Sequence, residues 1–141
     1  MNDDFFNIAL SEARIAYELD EIPVGCAIFK DGELIAKAHN CKENKKNSIM
    51  HAEIVAISDA CEKLNSWRLD NCIMYVTLEP CMMCMGAIIE SRIKTVYYGT
   101  KNNNKQMYAF NKNKPYIDIY NVENVDSSKL LSDFFKNKRK K

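Results

Sequence analysis

Four residues of this chain have types and spacing suited to joint chemistry: His51 with Glu53 close behind it, and Cys81 with Cys84 one helical turn on. An imidazole and two thiolates are the donors zinc takes, and three protein ligands leave one tetrahedral position open. An open position marks a catalytic zinc rather than a structural one, because water enters it and is acidified toward neutrality. Glu53 is near enough to His51 to serve that water without ligating the metal, and a carboxylate placed there can carry a proton. A Cys-x-x-Cys taken alone also fits a redox pair or half of a structural zinc site. A redox pair does not call for Pro80 or for His-x-Glu. A closed site needs a fourth ligand, and Cys26, Cys41, Cys61 and Cys72 lack ligand spacing to another Cys or His. Cys61 and Cys72 read as small core residues. His39, at the end of a strand, is expected to be no ligand.

The surrounding sequence supplies elements to position these groups. Asp3 and Asp4 stand as N-cap candidates before an apolar rhythm at Phe6, Ala9, Leu10, Ala13, Ala16 and Tyr17, which is helical spacing. Pro23 and Gly25 break that helix. Val24 to Phe29 and Leu34 to Ala38 are short apolar runs, and Asp31-Gly32 between them signals a two-residue hairpin. Asn40 to Asn47 is polar and predicts a loop. A helix is predicted from His51 to Leu64 with Ile54, Ile57, Ala60, Cys61 and Leu64 inward. A strand follows over Ile73 to Leu78, then a helix from Cys81 to Ser91 with Pro80 at its start, where a missing N–H costs nothing. A strand over Thr95 to Tyr98 is closed by Gly99. Lys101 to Lys114 is polar, with one short helix near Gln106 to Phe110, and Tyr116 to Tyr120 is a last strand. Ser127 to Lys138 predicts an amphipathic helix carrying Leu130, Leu131, Phe134 and Phe135. The order of elements implies an α/β fold, a mixed sheet with helices on both faces. Both ligand sets then fall at helix starts, whose partial positive charge favours thiolates.

At 141 residues and 47% hydrophobic, the chain reads as one domain, 1–141, with a buried core. The net charge of +1 implies no partner, but its distribution does. Lys42, Lys45 and Lys46 form one cluster, Lys101 and Lys105 another, and the chain ends Lys136, Lys138, Arg139, Lys140, Lys141. Such clusters are ordinary solvated surface singly and together suit a polyanion such as RNA. Met1 to Phe6 has neither a basic start nor a long apolar core, so no signal peptide is expected. A cytoplasmic setting, with its thiols reduced, turns a Cys pair toward metal or catalysis.

His51-Ala52-Glu53 and Pro80-Cys81-Met82-Met83-Cys84 carry the H-x-E…P-C-x-x-C signature of the zinc nucleobase deaminases. The chain resembles the cytidine/deoxycytidylate deaminase superfamily, and within it the bacterial tRNA-specific adenosine deaminases. The likeness includes Glu21-Ile22-Pro23-Val24-Gly25, Ala38-His39-Asn40, Trp67-Arg68-Leu69 and Ile73 to Cys84. It continues through Gly86-Ala87, Ser91-Arg92-Ile93 and Leu131-Ser132-Asp133-Phe134-Phe135. The resemblance implies a three-layer α-β-α, cytidine deaminase-like fold with a five-stranded mixed sheet, and a homodimer. It implies a hydrolase that turns adenosine into inosine at the wobble position of a tRNA anticodon, that of an arginine tRNA above all. His51, Cys81 and Cys84 would hold one zinc per subunit, and Glu53 would shuttle protons. Asn40 would hydrogen-bond the flipped base, Ile22 and Leu78 would wall the pocket, and Asn102 would stand near the ribose. Phe135 and Arg139 would meet neighbouring anticodon nucleotides.

Two stretches depart from the family pattern. Asn47-Ser48-Ile49-Met50 replaces the usual Asp-Pro-Thr-Ala, and Thr100-Lys101-Asn102-Asn103-Asn104 lacks the acidic residue common near the substrate ribose. The second change would loosen the demand for a 2′-hydroxyl or shift the preferred anticodon. Two rival readings are a deaminase of a free base or nucleoside, such as guanine or cytosine, and a zinc-stabilised RNA-binding module without catalysis. Glu53 argues against the second, since a binding module gains nothing from a proton shuttle beside an open metal position.

Overall fold

The computed structural model describes residues 1–103 and 117–139. The expected helix near Gln106 to Phe110 and the start of the last strand at Tyr116 lie outside these residues, as do Lys105, Lys140 and Lys141. The elements run α1 (Asp3–Glu18), β1 (Gly25–Lys30), β2 (Glu33–His39), α2 (Lys42–Lys45), α3 (Ala52–Leu64), β3 (Cys72–Leu78), α4 (Met82–Glu90), β4 (Thr95–Thr100), β5 (Asp118–Asn121) and α5 (Val125–Arg139). Among the described residues the sheet has five strands in the order β2-β1-β3-β4-β5. β1 runs antiparallel to β2 and β3, while β3, β4 and β5 are parallel.

The hairpin forms as the sequence demands. Asp31 and Gly32 both take positive φ, 51° and 79°, as a two-residue turn matched to strand twist requires, and Lys30 pairs with Glu33. Alternation along the central strands sends side chains to two cores. Cys26, Ile28, Met74 and Val76 face Ala52, Ala56, Ile57 and Ala60 of α3 and Met85 and Ile88 of α4. Ala27, Phe29 and Tyr75 face Phe6, Ala9 and Leu10 of α1. α5 lies on the α1 side, with Phe134 edge-on to Tyr17 at 5.9 Å between ring centroids. The layers are therefore α-β-α.

Several expectations shift. Asn2 caps α1, its Oδ1 accepting from Phe5 N–H at 3.1 Å, and Asp3 and Asp4 occupy the first turn, where the helix dipole favours them. The stretch Asn40 to Asn47 is not wholly loop, since it contains α2. α3 buries Ala52, Glu53, Ala56, Ile57 and Ala60, whereas Ile54, Cys61 and Leu64 are only partly buried. The buried stripe is thus small and includes a carboxylate. Pro80 precedes the N-cap of α4, which is Cys81, and so does not open the helix. Gly99 does not end β4. It sits inside the strand, where an added Cβ would lie 2.4 Å from Ser127 Oγ and 2.8 Å from Thr77 O. β5 begins at Asp118, and α5 begins at Val125, before Ser127.

Candidate metal centre and substrate pocket

His51 and Cys81 are each the N-cap residue of their helix, in extended backbone, and Cys84 lies in the first turn of α4. α3 and α4 pack together, so two helix N-termini bring their donors to one point. His51 Nδ1 is 3.6 Å from Cys81 Sγ and 3.6 Å from Cys84 Sγ. The three donor atoms lie within 4.8 Å of one another. Tetrahedral bonds of about 2.0–2.1 Å to nitrogen and about 2.3 Å to sulfur give an N···S edge of roughly 3.6 Å, so the donor set fits zinc.

The electrostatics of the three donors agree. The Cys81 thiol is pulled down to about 4, first by its hydrogen bond with Cys84 and then by His51. Cys84 is pushed far up by sharing its proton with Cys81 and by burial. His51 is raised by its bond to Cys81. The direction of the Cys81 shift favours the thiolate, the form in which a cysteine takes a metal.

Glu53 occupies the first turn of α3, 4% exposed. Burial pushes its carboxyl up to about 7, and it lies in hydrogen-bonding reach of Cys84. A carboxyl held there can both take and release a proton near neutral pH.

The group opens into a cleft of about 130 Å³ lined by Ile22, Val24, Asn40, Lys42, His51, Ala52, Glu53, Leu78, Glu79, Cys81 and Asn102. Ile22 and Leu78 supply apolar surface to its lining. The Asn40 amide donates to Ile22 O at 3.3 Å and accepts from Lys42 N–H at 3.4 Å, which leaves it one further N–H and a lone pair. Asn102 donates its backbone N–H to Glu79 Oε1 at 3.1 Å and its side-chain amide to Glu79 O at 3.4 Å. This ties the ends of β3 and β4 together at the cleft.

The expected residues outside the cleft lie on α5. Phe134 is 6% exposed and packs onto α1, while Phe135 is 43% exposed. Arg139 closes α5, and its side chain is outside the described residues. Lys138 pairs with Asp20 at 2.8 Å, so one member of the terminal basic cluster fastens α5 to the end of α1. His39 bonds Glu12 at 3.0 Å and is not part of the donor set. Lys42 and Glu79 also line the cleft, and neither is marked as a site residue by the sequence. Lys42 was one of a polar cluster, and Glu79 stands two before a ligand. Only the folding of α2 beside Asn40 shows the first, and only the β3–β4 register shows the second.

The family profile described as MafB19-like deaminase matches residues 1–139. A tRNA-specific adenosine deaminase of Aquifex aeolicus is 42% identical over 96% of this chain and 94% of its own. A solved structure from biochemical and structural studies of A-to-I editing by tRNA:A34 deaminases at the wobble position of transfer RNA superposes with a TM-score of 0.84. It is 35% identical over 92% of this chain and 100% of that one. A guanine deaminase of Bacillus subtilis is 32% identical over 99% of this chain and 95% of that one, with a TM-score of 0.69. The fold and site define a cytidine deaminase-like enzyme. More narrowly, the chain belongs to the tRNA-specific adenosine deaminase family and is a deaminase.

Proposed function

We propose that the protein hydrolyses adenosine to inosine at the wobble position of a tRNA anticodon, that of an arginine tRNA first, with zinc held by His51, Cys81 and Cys84. The observation that carries the reading is the buried Glu53 carboxyl beside the donor triad at the floor of a cleft open to solvent. When bound, zinc supplies the Lewis acidity that makes water a nucleophile at neutral pH. Glu53 takes the proton of that water and delivers it to the adenine ring nitrogen next to the amine-bearing carbon. Glu53 then takes the remaining proton from the hydroxyl added to that carbon and passes it to the departing amine as the C–N bond breaks, so water and adenosine become inosine and ammonia. Ile22 and Leu78 hold the flipped base between apolar faces, and Asn40 reads its edge.

Two features favour an RNA strand over a free base. No described residue of α5 lines the cleft, so the described part of that helix does not cap it. Phe135 is exposed on α5 beside Lys136, which suits stacking and phosphate contact outside the pocket. The relatives agree, since the adenosine-directed ones match more closely than the guanine deaminase does. Met82 and Met83, exposed at the start of α4, are apolar surface that a second copy would cover in the homodimer we include in this reading. Among the described residues no helix is long and apolar enough to cross a membrane.

The test is parallel incubation of zinc-loaded protein with an arginine-tRNA anticodon stem-loop, free adenosine, free guanine and free cytosine. Inosine in the stem-loop alone is the expected result. Ammonia from a free base with an untouched stem-loop would move the protein to the metabolic branch. Sedimentation at micromolar concentration checks the dimer.

A further inference from the structure

Next in the chain to Ile22, which lines the cleft, is a buried carboxylate that the proposed reaction does not use. Glu21 is 0% exposed, and among the described residues no Lys or Arg pairs with it. Its partners are N–H groups of α2. Glu43 N–H donates to Oε1 at 3.0 Å, Asn44 N–H donates to Oε2 at 2.6 Å, and the Asn44 side-chain amide also donates to Oε2. A buried charge without a counter-ion is costly unless hydrogen bonds compensate it, and here all three come from one short segment. The carboxylate therefore fixes where α2 stands. α2 begins at Lys42, which lines the cleft, and Lys42 N–H bonds Asn40, which bonds Ile22, the residue after Glu21. The chain closes a loop: Glu21 to α2, α2 to Asn40, Asn40 to Ile22, and back to Glu21.

We propose that Glu21 is a positioning residue that holds α2 so that Lys42 stands at the rim of the cleft and meets a phosphate of the nucleotide strand beside the base being deaminated. Lys42 is exposed and its ammonium is in no ion pair among the described residues. An ammonium at the mouth of a base pocket does nothing for a free base, which carries no phosphate. For a strand it adds a contact next to the scissile C–N bond and so sets the depth to which the nucleotide enters. The inference rests on the nucleic-acid reading above and assigns to that reading a residue pair outside the metal centre.

The test compares wild type, Lys42→Gln, Glu21→Gln and the double variant, all zinc-loaded, on the anticodon stem-loop. Deamination is followed at several salt concentrations, and binding by fluorescence anisotropy. Lys42→Gln should raise KM about 5-fold, with the loss falling in KM rather than kcat. It should also reduce the slope of log affinity against log salt by about 0.7, the value of one single-strand phosphate contact. Glu21→Gln should do the same although Lys42 is intact, and the double variant should be no worse than either single one. Should Glu21→Gln not fold, Asn44→Ala, which removes one of the three donors, should give a smaller effect of the same kind. An unchanged salt slope in Lys42→Gln would overturn the proposal. So would a Glu21→Gln that loses only melting temperature and active fraction, or effects that add fully in the double variant. A wild type that binds the stem-loop but leaves it unedited would sink the proposed function, while the anisotropy slopes would still decide the roles of Glu21 and Lys42.

Discussion

Gly25 opens β1 directly against α1, and replacing it by Ala should damage both fold and pocket. The added Cβ would lie 1.9 Å from Ala9 O and 2.4 Å from Ala13 N, both backbone atoms of α1. A carbon and a carbonyl oxygen approach no nearer than about 3.3 Å, so α1 would have to withdraw by roughly 1.4 Å. A side chain could rotate aside, but helix backbone cannot. The seam has no slack, because Ala9, Ala13 and Ala16 are all fully buried there. Overpacking costs about 1–3 kcal/mol and sometimes more, and this contact belongs at the upper end, about 3 kcal/mol. For a chain of this size that is a fall of roughly 10 °C in Tm. The displacement would also travel along α1 to Glu21 and Ile22, so KM for the stem-loop should rise. Thermal unfolding by circular dichroism reads the first effect and steady-state deamination the second. Gly86→Ala is the control within one subunit, where nothing lies within 4 Å of its added Cβ on α4, and its melt is read at concentrations that keep the protein monomeric. It should gain about 0.5–1 kcal/mol from helix propensity. If Gly25→Ala cost less than about 1 kcal/mol, the spacing of α1 from the sheet would be set elsewhere and the reasoning would be wrong.

Other outcomes follow from the same geometry. Chelation should lower Tm as well as stop deamination, because a metal held by residues of two helices stabilises only the state that presents them together. An unchanged melt in the chelated protein would break that link. Phe134→Ala should cost about 3–5 kcal/mol in chemical denaturation, whereas Phe135→Ala should cost much less and act chiefly on KM for the stem-loop. Equal stability losses would contradict the burial difference. Burial raises the Glu21 carboxyl, but the Glu43 N–H, the two Asn44 donors and nearby His39 more than offset this and leave it below its ordinary value. A depressed folded value means stability that is present above the ordinary carboxylate range and lost as pH falls through the folded value. Glu21→Gln should therefore be less stable than wild type at pH 7, with the gap closing in acid. A gap constant with pH would deny the charge its role.

The candidate donor set was legible because its chemistry is written as spacing: His-x-Glu and Cys-x-x-Cys each fall within one helical turn. The hairpin was legible because Asp-Gly is among the few pairs that take positive φ twice. The walls Ile22 and Leu78 and the base reader Asn40 came from resemblance, since nothing local marks them as neighbours and β1, β2 and β3 bring them together. What the sequence hid was tertiary. Gly99 looked like a strand terminator, yet it is there because Ser127, Phe6 and Thr77 leave no room for a Cβ. Lys138 looked like RNA-facing charge and is partly spent on Asp20. α2 was unreadable because a four-residue helix has too short a pattern to detect, and its stability comes from Glu21, far back in the sequence.

The most direct measurement is nucleoside mass analysis of an arginine-tRNA anticodon stem-loop after incubation with zinc-loaded wild type and with Glu53→Gln. The account predicts inosine at the wobble position with wild type and a loss of at least about 100-fold with the variant, the lower range for removing a general acid–base group. Inosine formed equally by both, or none formed by wild type that binds the stem-loop, would contradict it.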